Sequence, residues 1–408
     1  MPNAFVNVSW VPMEILRLLI NKLHIAQIFS TKWNSEFNRE FAVGDTVTLK
    51  KPQRFVIREG LAYTPQPLAR QTTTITLDQI FGIDFEWDDY EKAVYLERSA
   101  AELRANYLGP AASKLANEVD RRAALWAYRN TPNVFGILGT NPVAATPFLA
   151  AEERLFEKAC PEDARKLMIL SGPMHSAFVG AQVVQFNPGP EIARQYKTGL
   201  VGVAHGWEWY RSNNLYKHTA GTWAGAVNIT GANQSGSSLI ITGTAGDTLF
   251  KGDVFSVANV NFTNPNNLQD MGSVQHFVVK DDYVLTAGPD TISIFPAIVG
   301  PGSPYQNVSA LPTNLAALTL WPGTTTPSGL AGRQGLGLTK EAFGIVGAKF
   351  AMPKNVEGSM ARDPSTGFAV RFTRWWEGDE AKYKSRFDMC IGFGNLYPDE
   401  CAVRVVGA

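Results

Sequence analysis

Three alternating carboxylates, Asp84, Glu86 and Asp88, are the first candidates for chemistry in this sequence. If the aromatic-rich stretch Phe81–Trp87 is a strand, alternate side chains share one face and these carboxylates point the same way. Aligned carboxylate oxygens could bind a hard cation. No glycine-bearing calcium loop accompanies them, and a solvated strand end leading into a helix explains the same residues. We therefore predict no metal site.

A glycine-rich run from Gly332 to Lys340 invites comparison with phosphate-binding loops. It fails the motif because Leu338 stands where a phosphate loop requires lysine. Glycine by itself is a weak signal. We interpret the run as a flexible linker, and we predict no cofactor.

Histidine and cysteine residues are scattered along the chain. No two histidines have the i, i+4 spacing of zinc sites; they are His24, His175, His205, His218 and His276. Cys160 and a distant histidine could form a nucleophilic pair, although a cysteine before a proline at a helix start more often packs. Cys160, Cys390 and Cys401 are too few for a disulfide framework. We expect reduced thiols and no catalytic residue, so the chain is predicted not to be an enzyme.

Aromatic side chains cluster in two places and could stack on sugars or bases. They are Trp207, Trp209, Tyr210, Trp375 and Trp376. Packing in a core or an interface is the commoner use of such residues, and the basic residues are dispersed. A carbohydrate-binding protein remains one alternative, whereas a nucleic-acid groove is not indicated.

Composition limits the remaining classes. The chain has 408 residues, 45% hydrophobic and 18% charged, with 37 basic and 37 acidic residues. This length predicts two or three domains, and the neutral balance argues against nucleic acid as the main partner. The first apolar run, Ile15–Ile28, is interrupted by polar and charged residues, so we expect neither a signal peptide nor a membrane span.

The N-terminal part predicts elements that need neighbours. A helix is expected from Pro12 to Phe29. Strands at Asp45–Lys50 and Gln71–Leu77 fit a long hairpin, which is marginal alone. The longest helix is expected from Pro110 to Arg129, and its apolar stripe is Leu115, Val119, Ala123 and Trp126.

The segment from Trp223 to Leu320 has a different character. It is poor in charge and rich in Gly, Thr, Ser, Asn and Val, with short predicted strands between turns. That pattern favours a small barrel or sandwich inserted into an outer domain, whose two pieces are then separated in the chain. A final strand is predicted at Ala402–Val406.

In this order of elements the chain resembles the major capsid proteins of tailed bacteriophages, specifically the P22-type coat protein with the Hong Kong-97-type α+β fold. The local matches are Val43–Val47, Ala112–Asp120, Tyr383–Asp388 with Gly392 and Pro398, and Ala402–Val405. The implied domains are an N-terminal arm (1–40), an extended hairpin loop (41–80), a discontinuous peripheral and apical domain (81–221 plus 323–408) and an inserted all-β, barrel-like domain (222–322). Family members can carry a long charged loop early in this insert, whereas Gly231–Ser238 is short and uncharged.

The resemblance implies a function of self-assembly. Many copies would form the pentamers and hexamers of an icosahedral shell in a virion, assembled in the host cytoplasm with scaffolding and portal proteins and contacting packaged DNA without sequence specificity. A cellular nanocompartment shell is a related alternative, and a metabolic enzyme is a more distant one.

Overall fold

The structure is a computed structural model that describes residues 10–33, 46–55, 57, 60–61, 63, 65, 71–88, 104–182, 202–321, 329–354, 356–379 and 382–408. The chain divides into two compact units. The first is composed of Met1–Lys51, Thr72–Ala123 and Phe343–Leu396, and the second of Pro52–Gln71, Ala124–Ala342 and Tyr397–Ala408. The beginning of the predicted arm and the start of the predicted hairpin at Val43–Asp45 lie outside the described residues.

The α-helices in the described part of the chain are α1 (Trp10–Ile20), α2 (Gly109–Asn130), α3 (Thr146–Glu157), α4 (Gly172–Gln182) and α5 (Pro398–Cys401), and a π-helical turn, Arg104–Leu108, precedes α2. Helix α1 ends at Ile20, so the prediction of a helix as far as Phe29 was wrong. In the next turn, around Ile25, the backbone N–H groups donate hydrogen bonds to the carboxylate of Asp120. In a continuing helix, these groups would instead donate to backbone carbonyls of the preceding turn. A short 3-10 turn, Ala26–Ile28, follows.

Helix α2 agrees with the predicted bounds to within one residue at each end. Leu115, Val119 and Ala123 on its predicted stripe are buried, whereas Trp126 is only partly buried. Trp126 therefore lies at the margin of the buried face. Small residues such as Ala116 complete the buried face, which the spacing of large apolar residues could not reveal.

The strands that precede the low-charge segment are β1 (Thr46–Lys50), β2 (Thr72–Asp88), β3 (Val134–Gly136), β4 (Leu167–Leu170), β5 (Val203–Ala204), β6 (Trp207–Arg211) and β7 (Lys217–Thr219). Those within the segment are β8 (Asn228–Ile229), β9 (Gly236–Thr242), β10 (Thr248–Leu249), β11 (Val254–Thr263), β12 (Asp270–Val279), β13 (Tyr283–Val284), β14 (Pro289–Ile298) and β15 (Leu318–Leu320). Those that follow it are β16 (Ala331–Leu338), β17 (Phe343–Ala348), β18 (Glu357–Arg362), β19 (Ala369–Glu377), β20 (Lys382–Asn395) and β21 (Ala402–Val406).

An antiparallel sheet forms the first unit, in the order β1-β2-β20-β19-β18, and β17 also pairs with β20. The hairpin prediction holds, because β1 and β2 pair with Thr46 opposite Thr76. Strand β2 is continuous where the sequence predicted two strands, since a bulge between Leu77 and Gln79 shifts its register without ending it. Helix α1 packs on β18 and β19 through a buried face that includes Ile15 and Leu19.

A second sheet lies in the second unit, in the order β3-β21-β16-β4-β6-β5, with β7 also paired to β16. Strand β16 contains the glycine-rich run, so the interpretation of that run as a flexible linker was wrong. A Cβ on Gly337 would lie 2.6 Å from Val403 Cγ2 and 2.9 Å from Trp207 Cη2. Glycine is required there because packed neighbours approach the backbone closely.

The low-charge segment builds a separate sheet in the order β15-β11-β12-β14-β9-β8. Its two outer strands are joined, since the Ile229 N–H donates to the Ala316 carbonyl and the Leu318 N–H donates to the Val227 carbonyl, both at 2.9 Å. The sheet thereby closes into a barrel, as the sequence predicted. Its interior is apolar and includes Phe255, with Phe277 beside it.

Candidate assembly elements

The first candidate element is the anchor of the N-terminal segment. Asp120 is 1% exposed, and its carboxylate accepts backbone N–H groups of His24 at 2.9 Å, Ile25 at 3.0 Å and Ala26 at 2.9 Å. Burial, which disfavours the charged form, raises the pKa of this carboxyl group although the hydrogen bonds oppose it. One side chain of α2 therefore fixes the turn that follows α1.

The hairpin loop carries apolar side chains in contact with solvent. Phe55, Ile57, Leu61 and Tyr63 are 65%, 92%, 98% and 86% exposed. Isolated exposed apolar residues are ordinary, but a concentration in one short stretch is typical of a surface that binds another protein.

One end of this loop is held within the second unit. The Arg54 guanidinium forms an ion pair with the Glu400 carboxylate at 2.5 Å, and the Arg54 backbone N–H donates to the Tyr305 hydroxyl at 3.3 Å. Both partners are side chains of that same unit. The exposed apolar residues thus follow a residue, Arg54, whose position is fixed by these contacts.

The carboxylates considered as a metal site lie opposite basic side chains. Asp84 forms an ion pair with Arg386 at 3.3 Å, and Glu86 forms one with Lys382 at 3.0 Å, across the β2–β20 ladder. The side chain of Asp88 lies outside the described residues. The strand prediction is confirmed, and these acids act as cross-strand pairs with cations. Among the described residues, no group of three or more His, Cys, Asp or Glu side chains could hold a metal ion.

Buried polar groups hold strand β21 in the second unit. Arg404 is 1% exposed and donates to the Gln334 Oε1 at 3.3 Å and to the Gly252 carbonyl at 3.0 Å. Burial lowers its pKa to about 10. The Lys158 ammonium, also buried, forms an ion pair with Asp399 at 2.5 Å and donates to Gln275 Oε1 at 3.0 Å. These hydrogen bonds join β21 and the chain before it to the barrel strands.

The remaining candidates take structural positions. Trp207 and Trp209 are buried and donate to the Phe148 and Ala204 carbonyls at 3.1 Å and 2.9 Å, so they pack in the core. Trp375 is partly buried, whereas Trp376 is 44% exposed and packs on Tyr383. Tyr210 is 41% exposed.

Cys160 faces the thiol of Cys401, with the two sulfurs 3.5 Å apart. His175, His218 and His276 are buried, and His218 Nε2 lies 2.8 Å from Asp253 Oδ1. The partner of Cys160 is therefore another cysteine and not one of these histidines, and no motif in the sequence predicts that the two cysteines meet.

Asp120 and Arg404 were not identified from the sequence. Asp120 lies off the predicted apolar stripe of α2, and Arg404 lies between valines in the predicted final strand. A single charged residue inside an otherwise apolar strand was the available signal for Arg404.

Comparison with known proteins gives the following similarities. Residues 236–407 match the family model described as P22 coat protein, gene protein 5. A solved structure of Mycobacterium phage Che8 is 12% identical, covers 94% of this chain and 90% of that chain, and has a TM-score of 0.48. The capsid of the cyanophage P-SCSP1u is 13% identical over 91% of this chain and 85% of that chain, with a TM-score of 0.43. No curated protein matches the chain.

A further similar structure is a single domain. The CUS-3 coat protein I-domain is 23% identical over 23% of this chain and 94% of that chain, with a TM-score of 0.19.

The family match extends from β9 through the barrel to the closing strand β21. The α+β fold, with an N-terminal helix, a hairpin, a long helix, a barrel and a closing strand, follows the order expected of the Hong Kong-97-type capsid fold. Residues 236–407, less than half of the chain, are thus similar to the P22-type coat protein of a tailed phage. Over those residues, the match supports the resemblance inferred from the sequence.

Proposed function

We propose that this major capsid protein assembles as pentamers and hexamers into an icosahedral shell around the genome of a tailed phage, and that it is not an enzyme. The observation that carries the proposal is the coat-protein family match over residues 236–407. Closed shells need heterologous contacts between identical copies, which bring different surface patches together.

The parts of the chain take the following roles in this proposal. Residues 1–40 form an arm and residues 41–80 a hairpin loop that lies over a neighbouring subunit through its exposed apolar residues. Residues 81–221 plus 323–408 form the peripheral and apical domain. Residues 222–322 form an inserted domain that stabilises the subunit or decorates the outer surface. The exposed side chains of Ile57 and Leu61 support the role of the loop.

The proposed partners are scaffolding and portal proteins during assembly in the host cytoplasm, and packaged DNA afterwards. The formal net charge of zero favours weak DNA contacts that are sensitive to salt and independent of sequence. Within the described residues, no helix is long and apolar enough to cross a membrane.

Electron microscopy of the recombinant protein, with sedimentation alongside, tests the proposal. We expect closed, uniform shells or regular tubes, alone or once a scaffolding protein from the same phage is added. A protein that stays monomeric with scaffolding protein and with crowding agents would contradict the proposal. A cargo enzyme enclosed in the particle would instead favour the nanocompartment alternative.

A further inference from the structure

Two cysteines far apart in the sequence meet inside the second unit. Cys160 and Cys401, separated by 241 positions, place their sulfurs 3.5 Å apart, and they are 5% and 2% exposed. Both are free thiols in this structure. We propose that this pair is a latent disulfide, which forms without rearrangement of the fold when the protein meets a small oxidant such as hydrogen peroxide.

The backbone on both sides of the pair is held in place. The Cys160 N–H donates to the Leu155 carbonyl at 2.9 Å, and the Cys401 N–H donates to the Tyr397 carbonyl at 2.9 Å. The Cys401 carbonyl in turn accepts the Thr339 N–H at 3.2 Å. Because a disulfide has a sulfur separation of about 2.05 Å, the sulfurs need to approach by about 1.5 Å, which small side-chain rotations can supply.

The two thiols differ in acidity, and this difference indicates which of them reacts first with the peroxide. The hydrogen bond with Cys401 lowers the pKa of Cys160, and the same hydrogen bond raises the pKa of Cys401. The Cys160 thiolate therefore attacks one peroxide oxygen, the O–O bond breaks, and the departing hydroxide takes a proton to leave as water. Cys401 sulfur then attacks the Cys160 sulfenic acid and displaces its hydroxyl group, which leaves as a second water with the Cys401 proton. Two thiols and one peroxide thus give one disulfide and two waters.

The bond would connect the residues after α3 to the residue immediately before β21. Strand β21 pairs with β16 and β3, so the cross-link would prevent this central strand from separating when the chain unfolds. A link between residues so distant in sequence constrains the unfolded chain strongly. The stage at which the disulfide forms rests on the proposed function, because a coat protein assembles in a reducing cytoplasm and later meets oxidising surroundings.

Peroxide treatment of the purified full-length protein tests the inference without any substitution. We expect the number of thiols titrated after denaturation to fall from three to one, with a peptide cross-link between Cys160 and Cys401 in the mass spectrum. The melting temperature of the oxidised protein should rise by several degrees and return to its starting value on reduction.

Matched variants identify the pair independently of shell formation. Cys390→Ala removes the third cysteine, and we expect its thiol count to fall from two to zero. Cys160→Ser should retain two thiols and gain no stability on oxidation. Three free thiols after treatment, sulfinic acid at Cys160, or a disulfide that includes Cys390 would each overturn the inference. Because all of these are measured on subunits, failure of assembly would leave the result unaffected.

Discussion

The carboxylate of Asp120 and the backbone N–H of Ile25, 95 positions apart in the chain, are joined by a buried hydrogen bond of 3.0 Å. With the neighbouring bonds to His24 and Ala26, it makes Asp120 the side chain that fixes the chain after α1. We expect Asp120→Ala to lower the free energy of unfolding by about 2–4 kcal/mol, because it leaves buried donors without an acceptor. Denaturant unfolding measures this loss.

A matched control lies on the same helix. Glu118 is partly exposed and pairs with Arg121 and Arg122 at 2.7 Å. Such surface pairs contribute little, so Glu118→Ala should cost about 1 kcal/mol or less. Equal losses for the two variants would contradict the anchoring role of Asp120.

Close packing around β16 predicts a second effect. Gly337→Ala should lower stability by about 1–3 kcal/mol, because its Cβ would lie within 3.0 Å of Val403, Trp207 and Met168 side-chain atoms. Gly180→Ala is the control, since a Cβ at this helical position meets no atom within 4 Å. Thermal unfolding should show the control unchanged or slightly more stable. A tolerated alanine at Gly337 would show that the sheet is packed differently.

Buried histidines predict a dependence of stability on pH. Burial, and secondarily the charge of Arg211, lowers the pKa of His175 to about 4 from its ordinary value of 6.5. Burial also lowers the pKa of His276 well below that value, helped by Arg154 and other cations. Because the unfolded chain takes up protons first, stability falls as the pH drops below about 6.5 and continues to fall towards 4. The part due to His175 should be about 2 kcal/mol between pH 7 and pH 5.

Urea unfolding at several pH values checks this dependence. His175→Gln should lose part of the decline, whereas replacement of the exposed His24 by glutamine should leave the whole decline in place. A slope that is the same in wild type and His175→Gln would mean that other groups take up the protons.

Exposed apolar residues of the hairpin loop predict an assembly defect that spares the subunit. Ile57→Ser combined with Leu61→Ser should leave the melting temperature within the error of the measurement, because both side chains are more than nine-tenths exposed. Shell yield by sedimentation should fall at least tenfold. Leu315→Ser, at a position that is 73% exposed on the barrel segment, is the control for loss of any exposed apolar residue. Undiminished yield in the double variant would contradict the proposed role of the loop.

Local patterns predicted the elements well, and the failures have physical causes. The hairpin, the long helix and the closing strand follow from alternation and helical spacing, which act over a few residues. Strand β2 was divided at Asp78 because a bulge interrupts the alternation there although the pairing continues. The glycines of β16 were misinterpreted because their reason is the close approach of Val403 and Trp207, which come from elsewhere in the chain.

Functional positions were harder to predict for a similar reason. The role of Asp120 depends on a turn at Ile25, and the meeting of Cys160 with Cys401 depends on tertiary structure. In contrast, the order of the elements and the low charge of the barrel segment predicted a coat protein, and the family match over residues 236–407 supports that prediction.

The hydrogen bonds that join β8 to the chain around β15 affect how closely packed copies of the protein can interact. An open sheet presents unpaired N–H and C=O groups along its outer strands, and these can pair with the same strands of a neighbouring molecule. In the proposed shell, many copies of the barrel would be present at very high local concentration. Since the Ile229–Ala316 and Leu318–Val227 hydrogen bonds occupy those groups, neighbouring barrels can touch through side chains without fusing strand to strand. Regular packing of neighbouring copies then depends on side-chain contacts, and aggregation through exposed backbone groups is suppressed.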